Sequence, residues 1–128
     1  MARVIGVGGL FFKSKNPEKL YAWFEKNLGL QRDKTSMAVT FSWRDGTRSR
    51  RGGMTVWSIF PANTKYFRPS RAGFMMNFAV DDLDGVLAKL RRNRAKIDPK
   101  VEEYDYGRFA WVMDPEGNRI ELWEPPKR

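Results

Sequence analysis

Glu121, a carboxylate set in the apolar run Ile120-Glu121-Leu122-Trp123, is the residue of this chain best suited to chemistry. Apolar neighbours imply partial burial, and a buried carboxylate can serve as a general base or hold a cation. The competing reading is a structural pair with a neighbouring arginine. Few other groups can help it. The 128 residues include no histidine and no cysteine, which removes the usual metal ligand, the usual acid–base group near neutral pH, and all thiol and disulfide chemistry. There is no nucleophile–base pair and no GxSxG. The pairs Gly8-Gly9 and Gly52-Gly53 are too short to cradle phosphate.

Aromatic residues are the second resource. Trp57 and Trp123 could sandwich an aromatic ligand or stack on a cation, or could simply fill space. Tyr104, Tyr106 and Arg108 belong to the dense polar and aromatic stretch Glu102 to Arg108 and are expected at the mouth of a cavity, an ordinary solvated loop being the alternative.

The formal net charge is +9. Basic residues cluster at Arg44, Arg48, Arg50 and Arg51, and again at Arg91, Arg92, Arg94 and Lys96. Neither cluster is interleaved with aromatics, so a solvated face and a helix C-terminus are preferred to a nucleic-acid surface. No segment approaches the ~20 apolar residues of a membrane span. The apolar start has no cleavage site, so it reads as a strand, with a cytoplasmic location as the default.

The elements that must position these residues follow from periodicity. Residues 4–12 read as the first strand. Asn16 caps a helix with Pro17 at its first position, Leu20, Trp23, Phe24 and Leu28 recur at helical spacing, and Gly29 stops it. Residues 37–43 and 54–60 read as strands around a polar turn region, Arg44 to Gly53. Pro61 to Arg71 is expected to be an extended join. Phe74 to Val80 is a strand, Asp82 a helix cap, and Leu83, Val86, Leu87 and Leu90 an apolar stripe. Residues 108–113 and 119–124 flank Asp114-Pro115-Glu116-Gly117-Asn118, a turn needing one positive φ, so they should form a hairpin. Alternation puts Phe74, Met76, Phe78 and Val80 under the helix and Met75 and Asn77 on the other face; it likewise sets Glu121 and Trp123 opposite Ile120 and Leu122.

The halves repeat at an offset of 66: Asn16 maps to Asp82 and Trp57 to Trp123. The repeat therefore sets Thr55 and Trp57 on the same face as Glu121 and Trp123. The chain reads as a single α+β domain, residues 1–128, of two βαβββ units (1–60 and 72–126) joined by linker 61–71, with a curved mixed sheet around a cleft.

Three stretches, Asn16-Pro17-Glu18-Lys19 to Asn27-Leu28-Gly29-Leu30, Phe78 to Asp84, and Asp114 to Pro125, resemble the vicinal oxygen chelate superfamily of glyoxalase I, extradiol dioxygenases and bleomycin-resistance proteins. The resemblance implies the two-unit fold, frequent dimers and, in metal-dependent members, a divalent ion held at four positions. These fall here on Gly9, Thr55, Met75 and Glu121, a set with one strong ligand, so no metal and no cofactor is expected. The function expected is metal-independent binding of a small molecule in a Trp-lined cleft formed by Trp57, Trp123, Thr55, Asn77, Met75, Phe11, Tyr104, Tyr106 and Arg108. An anionic or neutral aromatic ligand is expected, because the net charge repels cations at long range. The alternative is a lyase, isomerase or dioxygenase using Glu121. A homodimer is the expected assembly.

Overall fold

The structure, a computed structural model, describes residues 2–44 and 52–126. Most of the polar turn region between Arg44 and Gly53, with Arg48, Arg50 and Arg51, lies outside the described residues. Strand β1 (Val4–Ser14) leads into helix α1 (Pro17–Leu28). The Asn16 side chain accepts from the Lys19 amide at 3.1 Å, and Gly29, at φ 70°, ends the helix. Strands β2 (Val39–Arg44) and β3 (Gly52–Pro61) follow. After β4 (Phe74–Val80), Asp82 caps α2 (Leu83–Arg92) by accepting from the Gly85 amide at 3.1 Å. Two short strands, β5 (Lys96–Ile97) and β6 (Glu102–Tyr104), precede β7 (Gly107–Met113) and β8 (Arg119–Glu124). Gly117 supplies the positive φ, 84°, that the β7–β8 turn requires.

The eight strands form one open mixed sheet in the order β2-β3-β1-β4-β8-β7-β5, with β6 paired to β7. The fold is therefore α+β. The two halves meet where β1 and β4 pair antiparallel at the centre, each flanked by the last strand of its own half in parallel.

The two sheet faces bury different material. Under α2, Val80, Leu83, Leu87, Ala110, Val112 and Leu122 form one core. On the opposite face Phe11, Phe67, Met75 and Trp111 form a second. Burying each such side chain stabilises by about 1.5–3 kcal/mol, which explains why the linker is not extended. Residues 61–70 instead fold into three successive turns, with Thr64, Arg68 and Ser70 amides donating to the Pro61, Lys65 and Phe67 carbonyls at 3.0–3.1 Å. The turns carry Phe67 across the sheet, where it is 0 % exposed among Phe11, Phe60, Met75 and Trp111.

Candidate functional site

Four strands place one row of residues across the face opposite the helices. Val56 pairs with Gly9, Gly9 with Asn77, and Asn77 with Glu121. The β7–β8 register adds Trp111 directly beside Glu121. Glu121 is 2 % exposed, and its carboxylate accepts three hydrogen bonds. Asn77 Nδ2 donates to Oε1 at 2.6 Å; Trp111 Nε1 donates to Oε2 at 3.0 Å, and the Tyr66 hydroxyl donates to the same oxygen. All three donors are neutral, so the arginine partner expected from sequence is not what holds Glu121. Arg119 acts one step away. It donates to the Tyr66 carbonyl at 2.6 Å, lies 5.0 Å from the centre of the Trp111 ring, and bonds Asp98 at 3.4 Å. Burial, then the charge of Glu121, pushes the Tyr66 hydroxyl far above its ordinary range.

Tyr66 and Trp111 were not among the residues singled out from sequence. Trp111 was within reach: the turn at Asp114–Asn118 fixes the hairpin register, and counting back sets it opposite Glu121. Tyr66 left a weaker mark, one aromatic pair, Tyr66-Phe67, in an otherwise polar linker.

The sequence-derived residues divide between the two faces. Phe11, Met75, Asn77, Glu121 and Trp123 share the Glu121 face. Trp57 does not; it packs under α1 against Phe24, Phe12 and Tyr21 with ring centres 4.8, 5.3 and 6.0 Å away. Thr55 is on Trp57's side, donating to the Val7 carbonyl at 2.5 Å and accepting from Trp43 Nε1 at 2.9 Å. The constant offset of 66 is the reason. Leu10 pairs with Trp57, and its repeat mate Met76 with Ile120, which is only 63 residues beyond Trp57. An odd discrepancy turns every side chain of the strand to the other face. Arg108 also faces away, bonding both oxygens of Asp84 on α2 at 2.9 and 3.2 Å.

Tyr104 and Tyr106 do join Trp123. Their rings stack at 5.1 Å and 7°, both contact Phe109, and Phe109 stacks on Trp123 at 6.2 Å and 10°. Trp123 Nε1 donates to the Tyr106 carbonyl at 2.7 Å, tying the ladder to the β6–β7 turn. Gly8 permits its inner end: a Cβ there would fall on Asn77 Oδ1 and 3.0 Å from the Trp123 ring.

The residues present do not fit a divalent ion. The row offers one carboxylate, and both its oxygens already accept from protein donors; Val56 and Gly9 supply no ligand side chain, and Thr55 is on the other face. Among the described residues no group of three or more acidic, histidine or cysteine side chains is placed to hold a metal. The basic residues lie elsewhere. Lys89, Arg91 and Arg92 occupy the last turn of α2, where the dipole favours cations. Arg71, Arg94 and Lys96 line an open groove of about 870 Å³ beside the β7–β8 turn, at the other end of β7 from the aromatic ladder. No helix among the described residues is long and apolar enough to cross a membrane.

Comparison with known proteins agrees with this architecture. The sequence profile described as Glyoxalase/Bleomycin resistance protein/Dioxygenase superfamily matches residues 11–122. An uncharacterised Escherichia coli (strain K12) protein, YaeR, is 36% identical over 59 residues, covering 44% of this chain and 46% of that protein, so the match spans less than half of its length. Among solved structures, a Streptomyces coelicolor methylmalonyl-CoA epimerase variant in complex with 2-nitronate-propionyl-CoA superposes with a TM-score of 0.66 at 11% identity, covering 98% of this chain and 100% of the other. A Vibrio splendidus 12B01 member of the glyoxalase/bleomycin resistance protein/dioxygenase superfamily gives 0.57 at 12% identity, with 97% and 99% covered. At such identities these structures are similar in fold alone.

Proposed function

Because the chain belongs to the Glyoxalase/Bleomycin resistance protein/Dioxygenase superfamily, we propose that it uses the Glu121 face to bind a small planar organic molecule without a metal. The observation that supports this most is the state of Glu121. A carboxylate with both oxygens engaged by neutral donors is a built polar floor, and three of its about four lone-pair sites are already taken. Beside it, Phe109 and Trp123 offer parallel ring faces that match the aromatic lining of small-ligand pockets. The ligand stacks on this ladder, with the buried Asn77–Glu121 pair closing the inner end beneath it. Of the two charges expected from the net charge, neutral fits for the stacking ring. An anion would meet Glu102, Glu103 and Asp105 at this end. Catalysis by Glu121 is the weaker reading, because a proton acceptor must reach its substrate and Tyr66 covers that oxygen.

The assembly we propose is a homodimer. Val7, Leu10 and Phe74 are exposed on the helix-side face of β1 and β4, and a second copy would cover them. Sedimentation at micromolar concentration should show a dimer; a monomer alone would end that part of the reading. The ligand site is tested by titrating the tryptophan fluorescence with 2-naphthol, a neutral planar probe. Binding should be saturable, lost in Trp123→Leu and kept in Trp57→Leu. Equal binding to both variants would overturn the reading.

A further inference from the structure

We infer that the outer end of the aromatic ladder, Tyr104 and Tyr106 on the β6–β7 hairpin, is a recognition site for an organic cation of the quaternary-ammonium class. This rests on the reading above that a small organic molecule binds along the ladder, independently of its neutral ring, and adds the charge of the group that sits at the cleft mouth.

Ring exposure is the first ground. Tyr104 is 47 % exposed and Tyr106 59 % exposed, yet their rings are held parallel at 5.1 Å and backed by Phe109. Two tyrosines stacked on one another and still about half exposed present part of the negative side of the aromatic quadrupole to water, the surface that attracts cations. The Tyr104 hydroxyl donates to Glu102 Oε1 at 2.6 Å, which draws electron density toward its ring and locks its orientation.

Local charge is the second ground, and it runs against the whole chain. Glu102, Glu103 and Asp105 flank the two tyrosines within the same hairpin. The cations nearby already have carboxylate partners: Lys100 lies 3.5 Å from Glu102, and Arg108 bonds Asp84 and approaches Glu124 and Glu103 at 3.8 and 3.9 Å. Arg71, Arg94 and Lys96 are at the far end of β7, in a groove that Asp114 and Glu116 also line. Within the ~8 Å screening length of physiological salt, the nearby carboxylates outweigh a distant net charge of +9.

Choline and its neutral isostere 3,3-dimethyl-1-butanol separate charge from shape. Binding of each to the full chain, followed by proton chemical shifts of the probe and of the tyrosine rings, should favour choline by at least about threefold, the scale of an exposed cation–π contact. Tyr106→Leu and Asp105→Asn should each reduce choline binding, and both positions are exposed, so the fold is kept. Equal binding of the two probes, or choline binding unchanged in Tyr106→Leu, would overturn the inference. The outcomes also separate the two readings. If 2-naphthol binds through Trp123 and choline does not bind, the cation site fails and the ligand reading stands. If choline binds and 2-naphthol does not, the cation site stands and the neutral-ring reading fails.

Discussion

Replacing Glu121 by glutamine and by alanine should have very different consequences, and the difference follows from the three donors around it. In Glu121→Ala, Asn77 Nδ2 and Trp111 Nε1 lose their acceptor in a site that water does not reach, while the Tyr66 hydroxyl can turn toward solvent. Stranding a buried donor costs about 1–3 kcal/mol, so two donors and the void together cost about 3–5 kcal/mol. Glutamine keeps the shape. Its oxygen can take the place of Oε2 and accept from Trp111 and Tyr66. Its amide then faces Asn77, whose side chain can flip to present Oδ1, the acceptor now without a partner. The flip moves Asn77 Nδ2 to the buried position where Oδ1 has no partner, so one amide donor is left unpaired. That cost and the weaker neutral hydrogen bonds are offset by the desolvation recovered when the buried charge is removed. Glu121→Gln should lie within about 1 kcal/mol of the parent, whereas Glu121→Ala should lose roughly ten degrees or more in Tm. Urea unfolding of the three proteins in one buffer measures both numbers. A glutamine variant as unstable as the alanine variant would refute the hydrogen-bond account of Glu121.

Other consequences can be measured in the same way. Phe67→Ala should cost about 3–5 kcal/mol, although residue 67 is in a linker, because a fully buried ring is lost; a change under 1 kcal/mol would deny that the linker is part of the core. Trp57→Leu should destabilise and spare ligand binding, whereas Trp123→Leu should do the reverse, a comparison read by melting and probe titration together. The Tyr66 hydroxyl is pushed up by burial and by Glu121, so its contribution is present below the unfolded tyrosine value of about 10 and is lost as pH rises past it. Stability should therefore fall between pH 9 and 11 in the parent and less so in Tyr66→Phe. The Asp114 carboxyl is held down by Asn118, whose side chain and amide both donate to it. Its contribution is present above about pH 4 and is lost as pH falls further, and Asp114→Asn should flatten that part of the acid limb.

Much of this molecule could be read before its coordinates. Caps at Asn16 and Asp82 carry local chemistry that does not depend on the rest of the fold, and both helices start where those residues stand. Strand β4 alternates cleanly because one side lies on α2 and the other on the second core. The family resemblance and the profile match over residues 11–122 agree. What failed was transfer across the repeat. Helices tolerate a fixed offset, but a strand changes face with each residue, so a shift of 63 against 66 moved Trp57 and Thr55 away from Glu121. Arg108 was misplaced for a related reason. It alternates with Phe109 and Trp111 on β7, and its ion pairs with α2 could be seen only once the strand register was known. The linker had no period to read. Its turns are set by where Phe67 finds burial, a long-range packing effect that local propensity does not encode.

Native mass spectrometry of freshly purified protein tests the central claim most directly, because it reports metal, assembly and carried ligand in one spectrum. Metal-independent binding on the Glu121 face predicts a metal-free dimer, with any extra mass being that of an organic molecule lost in Trp123→Leu. About one divalent ion per chain, present in the parent and absent in Glu121→Ala, would contradict it.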